Sequence, residues 1–479
     1  MSTALALLPL LLVIALLASG RAGALTAGTA GLSATIVVAG AVLGAPLDLL
    51  AREIPAGLWL SWHVVAIIVA GMFFHRVLQA RGGGAAGAGG GATPRRLFAV
   101  CFLLAPFAES VTGFGVGYII ALAALARLGI GGLPALLLGL YSQSLVPWGA
   151  LAIGSTLGAA LAGMTPNALG VASALLQVPI HLFYLLLYWR FAREAGVAVP
   201  AAQRLDDLLW TALLLALVWL ANLHSDLEIA GAASTALLLA LRFWRDERPD
   251  AASARATLRA TAPYVALTLV LCATRLVPPL RDLLKPLAAL RPYDTLPAFP
   301  PFYAPGFWLV AIGLVVALSA RAPLGRVVAE TARGAWRACA VTVAFVVMAE
   351  LYVGTGMAQD IAEGLRAAAG RTAGLAVPAF AAVGGFLTGG GATANAMLMP
   401  MVTALARALA LDPAWIAAVQ NSVCANLTML SPVRVSMGVA ILGLSGMESA
   451  LYRRAWPLAL PSILTGVAAI VVLLYAPPA

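Results

Sequence analysis

Two charged side chains stand where hydrocarbon is expected. Glu109 lies in FAESVTGFGVGYII, residues 107–120, and Arg434 lies in SPVRVSMGVAILG, residues 431–443. An ionised group at mid-bilayer costs at least about 2.5–3.5 kcal/mol, so each needs a reason. A carboxyl at that depth can carry a proton, because desolvation favours its neutral form. A guanidinium can hold a carboxylate through two parallel N–H bonds. The two residues also have bland roles: Glu109 as a carboxyl bonded to nearby N–H groups, and Arg434 as its standing partner. Small polar side chains accompany them: Ser110 and Thr112 beside Glu109, then Ser142, Gln143, Thr388, Thr393, Asn395, Gln420, Asn421 and Ser431. Gly113 and Gly115 let the backbone turn and let a substrate approach closely. With Arg434 these make the candidate substrate-binding set, and Glu109 is the candidate proton-coupling residue.

Other titratable groups carry weaker signals. The cysteines Cys101, Cys272, Cys339 and Cys424 are scattered singly and read as packing residues. His63 and His181 read as satisfied core histidines. Glu350 reads as an interfacial residue near the outer end of its span, Asp226 and Glu228 as an outer turn, and Asp360 and Glu363 as a surface helix face. No metal site and no cofactor is expected.

The elements that hold these residues are membrane spans. The chain has 479 residues, 62% hydrophobic and 10% charged, against about 25% charged in soluble domains. Apolar spans fall near 2–19, 24–45, 56–75, 134–153, 167–189, 206–224, 229–242, 260–277, 306–320, 334–353, 414–441 and 455–475. Two further stretches, 97–127 and 374–409, exceed one helix and are interrupted by glycine and small polar residues, as re-entrant hairpins would be. The fold expected is an all-α polytopic membrane protein of about 12 transmembrane helices plus two re-entrant hairpins. Residues 80–94 read as a flexible linker. Residues 278–305, rich in proline and aromatic residues, read as an interfacial segment.

The net charge of +10 needs no nucleic acid. With both hairpins re-entrant, most Lys and Arg residues fall on one side, among them Arg76, Arg81, Arg95, Arg96, Arg242, Arg245 and Arg454. The other side holds Arg52, Arg275, Arg281, Lys285, Arg291, Arg366, Arg371 and Arg407. The rich side is cytoplasmic by the positive-inside rule, which puts both termini in the periplasm of a bacterial inner-membrane, multi-pass protein. Making either hairpin a full span would scramble that bias.

A repeat follows. The first hairpin precedes LPALLLGLYSQSLVPWGALAIG, residues 133–154, whose helical pattern breaks at Tyr141–Ser144 and Pro147. The second precedes residues 414–443, with a polar break expected across Gln420-Asn421-Ser422, Asn426, Thr428 and Ser431-Pro432. Hairpin then broken helix, once from each side, is the inverted-topology repeat of many secondary transporters. The organisation expected is scaffold helices and linker in 1–96, a first core half in 97–190, scaffold in 191–372, a second core half in 373–446 and a C-terminal helix in 447–479.

The stretches FAESVTGFG, GLYSQSLVPWGALAIG, GGFLTGGGATANAML and QNSVCANLTMLSPVRVSMGVAILGLSG resemble the bacterial lactate permease family. Glu109, Gly113, Phe114 and Gly115 match that family's acidic tip. Gly149 and Gly154 match its broken helix, Thr388, Gly389, Thr393 and Asn395 its second tip, and Gln420 with Ser431-Pro432 its last motif. Ser110-Val111-Thr112 and Gly390-Gly391-Ala392 depart from its usual residues, as in a divergent member. The resemblance implies 2-hydroxymonocarboxylate:proton symport on a core that moves against a scaffold. The partners implied are a small organic anion, a proton or sodium, and the lipid bilayer, with a homodimer left open. The competing classes are a carrier of another small anion, a channel, and a membrane enzyme. The short loops lack the acid, His or Cys cluster an enzyme needs. No Walker motif supplies ATP drive.

Overall fold

The computed structural model describes residues 2–81 and 91–475. Residues 82–90 of the glycine-rich linker lie outside them. Among the described residues ten helical segments are long and apolar enough to cross a bilayer, or eleven if the bent pair Gly132–Gln143 and Val146–Ala162 counts as one span. Two expected spans are shorter: Ser2–Ala18 has 17 residues and Pro305–Ser319 has 15. The segment Met357–Thr388 passes the length test, but it is not one rod. An amphipathic helix, Met357–Ala369, is followed by a 3₁₀ turn at Gly370–Ala376, and only then by Val377–Thr388. Glu363 is exposed on the first helix, the surface face that its charges predict.

Local chemistry fixes the helix starts. Thr93, Thr165, Asp412 and Ser431 each accept a backbone N–H from the first turn that follows, and Pro94, Pro166, Pro413 and Pro432 sit at the first helical position. That position needs no N–H, and the fixed proline φ suits it.

Polar ties sort the loops into two ends. At one end Arg96 pairs with Glu247 at 2.6 Å, and Arg454 pairs with Glu194 at 3.3 Å. There Arg242, its side chain 1% exposed, pairs with Asp206 and Asp246 and lies over the rings of Phe98 and Trp210. At the other end Thr3 donates to Asp360 O, Trp59 to Pro297 O, Asn167 to Ser225 O and Arg407 to Ala162 O. Each tie joins loops that the arginine pattern puts on the same side. Asp226 and Glu228, expected to be a plain turn, are more than that. Arg275 is buried, pairs with Glu228 at 2.8 Å and stacks 4.4 Å from the Tyr303 ring, while the Tyr303 hydroxyl bonds Asp226. Glu350 is buried within electrostatic reach of Glu53, so its carboxyl faces protein.

Both hairpins form where glycine interrupts the apolar run. The first runs as Pro94–Phe98, a π-helical turn at Ala99–Leu104, and Ala105–Thr112, then returns as Val116–Arg127. It opens toward the arginine-rich end. The second pairs Val377–Thr388 with Gly391–Ala408 and opens toward the opposite end, where Arg407 meets Ala162. The first broken helix continues to Ala162, past the expected end at 154.

Candidate functional site

The four irregular pieces converge. The first tip packs on the first break, where Gly113 meets Ala150, and on the second, where Gly115 meets Arg434. The second tip packs on both breaks as well: Gly391 and Ala392 face Gly154, and Gly389 faces Ser431.

At the first tip, Gly113, Phe114 and Gly115 have φ of 68°, 54° and 84°. This left-handed run reverses the chain and points its N–H groups back at Glu109. Gly115 N donates to Glu109 Oε1 at 3.1 Å, and Gly117 N donates to Oε2 at 3.0 Å. Arg434 Nη2 completes the set at 3.3 Å from Oε1. Glycine is required by space: a Cβ on Gly115 would lie 1.9 Å from Arg434 Nη1, and one on Gly117 would lie 2.4 Å from Ala105 O. Ser431 caps the Pro432–Ile441 helix by accepting Arg434 N, which sets Arg434 in the first turn, facing the tip. Both partners are buried, so the pair is held by hydrogen bonds as well as by charge. Of the two roles open for Arg434, the geometry favours the standing partner of Glu109 in this state.

The second tip has no charge. Thr388 Oγ1 donates to Gly384 O and to Gly390 O. Thr393 is half-buried next to the Gly390 turn. Asn395 Nδ2 donates to Gly154 O at 3.0 Å and to Asn421 Oδ1 at 2.8 Å, and its Oδ1 accepts the Cys424 thiol. Ser155 also reaches Asn421 Oδ1, and Asn421 Nδ2 donates to Ser173. Asn395 and Asn421 are thus engaged inside the protein, where they tie the second hairpin to the first broken helix.

The first break falls where expected, as 3₁₀ turns at Leu140–Gln143 and Val146–Trp148, and the second is narrower than expected. The helix Pro413–Leu427 runs without interruption through Gln420, Asn421 and Ser422, and breaks only at Thr428–Ser431. Asn421 finds its partners on neighbouring helices, and polar side chains alone do not interrupt the backbone. It is Pro432 that ends the helix, since it lacks an N–H and restricts the residue before it. In the first broken helix, Ala150, Leu151 and Ala152 have φ of 49°, 54° and 58°. This is a left-handed turn built from non-glycine residues.

The expected set divides by unused bonding capacity. Ser110 Oγ, Gln143 Oε1 and both polar atoms of Gln420 are buried without a partner, whereas Ser142 accepts from Gln143 at 2.9 Å and Thr112 bonds back to Ala108 O. Buried polar groups left open are the ones able to receive a ligand. Sequence reasoning missed Ser155, Ser173 and Gln177, and took Ser144 only as part of the first break. The four-residue spacing of Ser173, Gln177 and His181 on one helix face was the signal available. His63 faces two backbone carbonyls, as a core histidine would, but His181 uses one nitrogen only.

Fold and site define a polytopic all-α membrane protein whose buried polar groups gather where helices break. Residues 287–477 match the model of the L-lactate permease family, as a member of that family would. No curated protein matches the chain in sequence. The matched segment contains the second hairpin and the second broken helix, including Arg434. The match points to a lactate transporter and to transport in place of catalysis.

Proposed function

We propose that the chain is a secondary carrier for a small monocarboxylate, lactate or a similar 2-hydroxy acid, moved with a proton by alternating access. The observation that supports it most is the Glu109–Arg434 pair at the meeting point of two opposed tips and two broken helices. A substrate carboxylate and the Glu109 carboxylate compete for one guanidinium. When substrate takes Arg434, a proton on Glu109 replaces the lost counter-charge, so anion and proton cross together. Pairing them matters, because the membrane potential opposes uptake of a bare anion by about 2.3 kcal/mol per 100 mV. Ser110, Gln143 and Gln420 have open bonding groups for the rest of the substrate. The hairpins open in opposite directions, which fits an inverted-topology repeat. The arginine-rich end is the cytoplasmic one in this proposal, and the membrane is the bacterial inner membrane.

The test is uptake of labelled small acids by proteoliposomes under imposed pH or sodium gradients. Lactate accumulation driven by a pH gradient is expected. Accumulation driven by sodium alone would replace the proton in this scheme, and no uptake of any 2-hydroxy acid would end it. In the same assay Glu109→Gln, which mimics the protonated state, keeps exchange and loses pH-driven accumulation.

A further inference from the structure

One face of the Pro166–Glu194 helix carries Ser173, Gln177, His181, Tyr184 and Tyr188, spaced by three or four residues, and all are fully buried. Leu175, Leu182, Phe183 and Leu186 on its other faces are exposed. A helix that is apolar outward and polar inward along several turns of a membrane protein is built for what passes along its inner face.

The stripe starts at the site. Asn421 donates to Ser173 Oγ at 3.1 Å, and Asn426 Nδ2 reaches Gln177 Oε1 at 3.4 Å. One turn on, His181 Nδ1 lies 3.0 Å from Gln177 O. A carbonyl only accepts, so Nδ1 carries the hydrogen, and the neutral ring leaves its lone pair on Nε2. Nε2 is buried and unpartnered, as are Gln177 Nε2, Asn426 Oδ1 and Ser422 Oγ nearby. Beyond it the Tyr184 ring lies 5.8 Å from His181, and its hydroxyl bonds Ser462 at 3.2 Å. Tyr141 packs against both Tyr184 and Tyr188. Tyr188 is within electrostatic reach of Asp207 and Arg242, at the arginine-rich end, where Asp207 accepts from Trp189 and Gln203.

We propose that this stripe is a proton path from the tip-and-break site to the arginine-rich end, with His181 as its titrating relay. The proposal rests on the proton-coupled reading above. Nε2 accepts a proton from the site side, the ring becomes an imidazolium, and the same nitrogen gives the proton up toward Tyr184. One N–H bond forms and breaks, and no electrons change hands. The hydroxyls of Tyr184, Ser462 and Tyr188 both donate and accept, so they can pass the proton on. Among the charged and titratable groups on the packed elements, His181 is the buried imidazole, and its open Nε2 can take a proton. Tyr184 lies on its own helix, and Tyr141 comes from the turn before the first break. The Pro413–Leu427 helix brings Cys424. Arg204, Asp206, Asp207 and His224 come from the helix Ala201–His224, Glu228 and Arg242 from Leu227–Arg242, and Tyr475 from the last helix.

The test uses the whole chain in proteoliposomes with labelled L-lactate, comparing uptake driven by a pH gradient with counterflow, which needs no net proton movement. His181→Gln should slow driven uptake about 100-fold, the low end of what a positioned proton-transfer group contributes, and leave counterflow in place. Tyr184→Phe should slow driven uptake in the same assay. If His181→Gln matches wild type in driven uptake, the proposal is overturned while the transport reading stands. If driven uptake and counterflow fall together in both His181→Gln and His181→Asn, His181 is a packing residue and the proposal is equally overturned. A wild-type protein indifferent to a pH gradient would overturn the coupling reading and this proposal with it.

Discussion

The two hairpin tips use the same backbone device for different ends. Both reverse at glycines of positive φ, Gly113 and Gly115 in one and Gly389 in the other. The first tip wraps a carboxylate and delivers it to an arginine from the far half of the chain. The second tip wraps nothing. Its Thr388 caps its own turn, and its Asn395 reaches across to the Gly154 carbonyl. One tip holds a charge that can be exchanged, and the other holds a fixed joint. In a carrier, these are the part that responds to substrate and the part that keeps the two halves in register.

The largest effect should come from breaking the charged tip. Arg434→Gln leaves a buried carboxylate without its counter-ion, which costs about 3–5 kcal/mol. Thermal unfolding in detergent should show a large loss, and lactate uptake should vanish. Glu109→Gln combined with Arg434→Gln should regain much of the stability and none of the transport. Wild-type stability in Arg434→Gln would mean that the pair does not hold the tip.

Next come the turns themselves. Gly115→Ala puts a methyl against Arg434 Nη1 at φ of 84°, so both backbone and partner must shift. At the second tip, Gly390→Ala meets nothing closer than Thr393 Oγ1 at 3.6 Å. Uptake should be lost in the first variant and nearly retained in the second. Equal damage in both would erase the distinction between the tips.

The fixed joint should yield a smaller number. Asn395→Ala removes the bonds to Gly154 O and Asn421 Oδ1, for about 1–3 kcal/mol of stability. Transport abolished at near-normal stability would make Asn395 a substrate ligand after all.

How much of this the sequence disclosed depends on whether the signal was local. The hairpins were legible because glycine and small polar residues interrupt apolar runs at 113–117 and 389–391, and Ser431-Pro432 marks a true break. The Glu109–Arg434 contact spans 325 residues and was open only as one of two roles for Arg434. Gln420–Ser422 was misread because polar residues in a span mimic a break, while the backbone there stays helical, with Asn421 bonded to Asn395, Ser155 and Ser173. The left-handed turn at Ala150–Ala152 was invisible. Ala and Leu are good helix formers, and tertiary contacts, Gly113 against Ala150 and the second tip against Gly154, set the turn against that preference.

The smallest expected effect concerns that turn. Ala152→Gly relieves about 1–2 kcal/mol of wrong-handed backbone and gives up about 0.8 kcal/mol of buried methyl. A slight gain in thermal stability is expected, and a clear loss would show that the turn is not strained.

A turn of the wrong hand, three residues long, is a wound spring. At about 1–2 kcal/mol per residue it stores roughly 3–6 kcal/mol, and the catch that keeps it wound is the seat of both tips against it. Any movement that lifts a tip loosens the catch, and recoil toward the right-handed helix then returns that energy to the motion. In the alternating-access cycle proposed above, part of the work of switching sides would then be loaded when the chain folds, before any substrate binds.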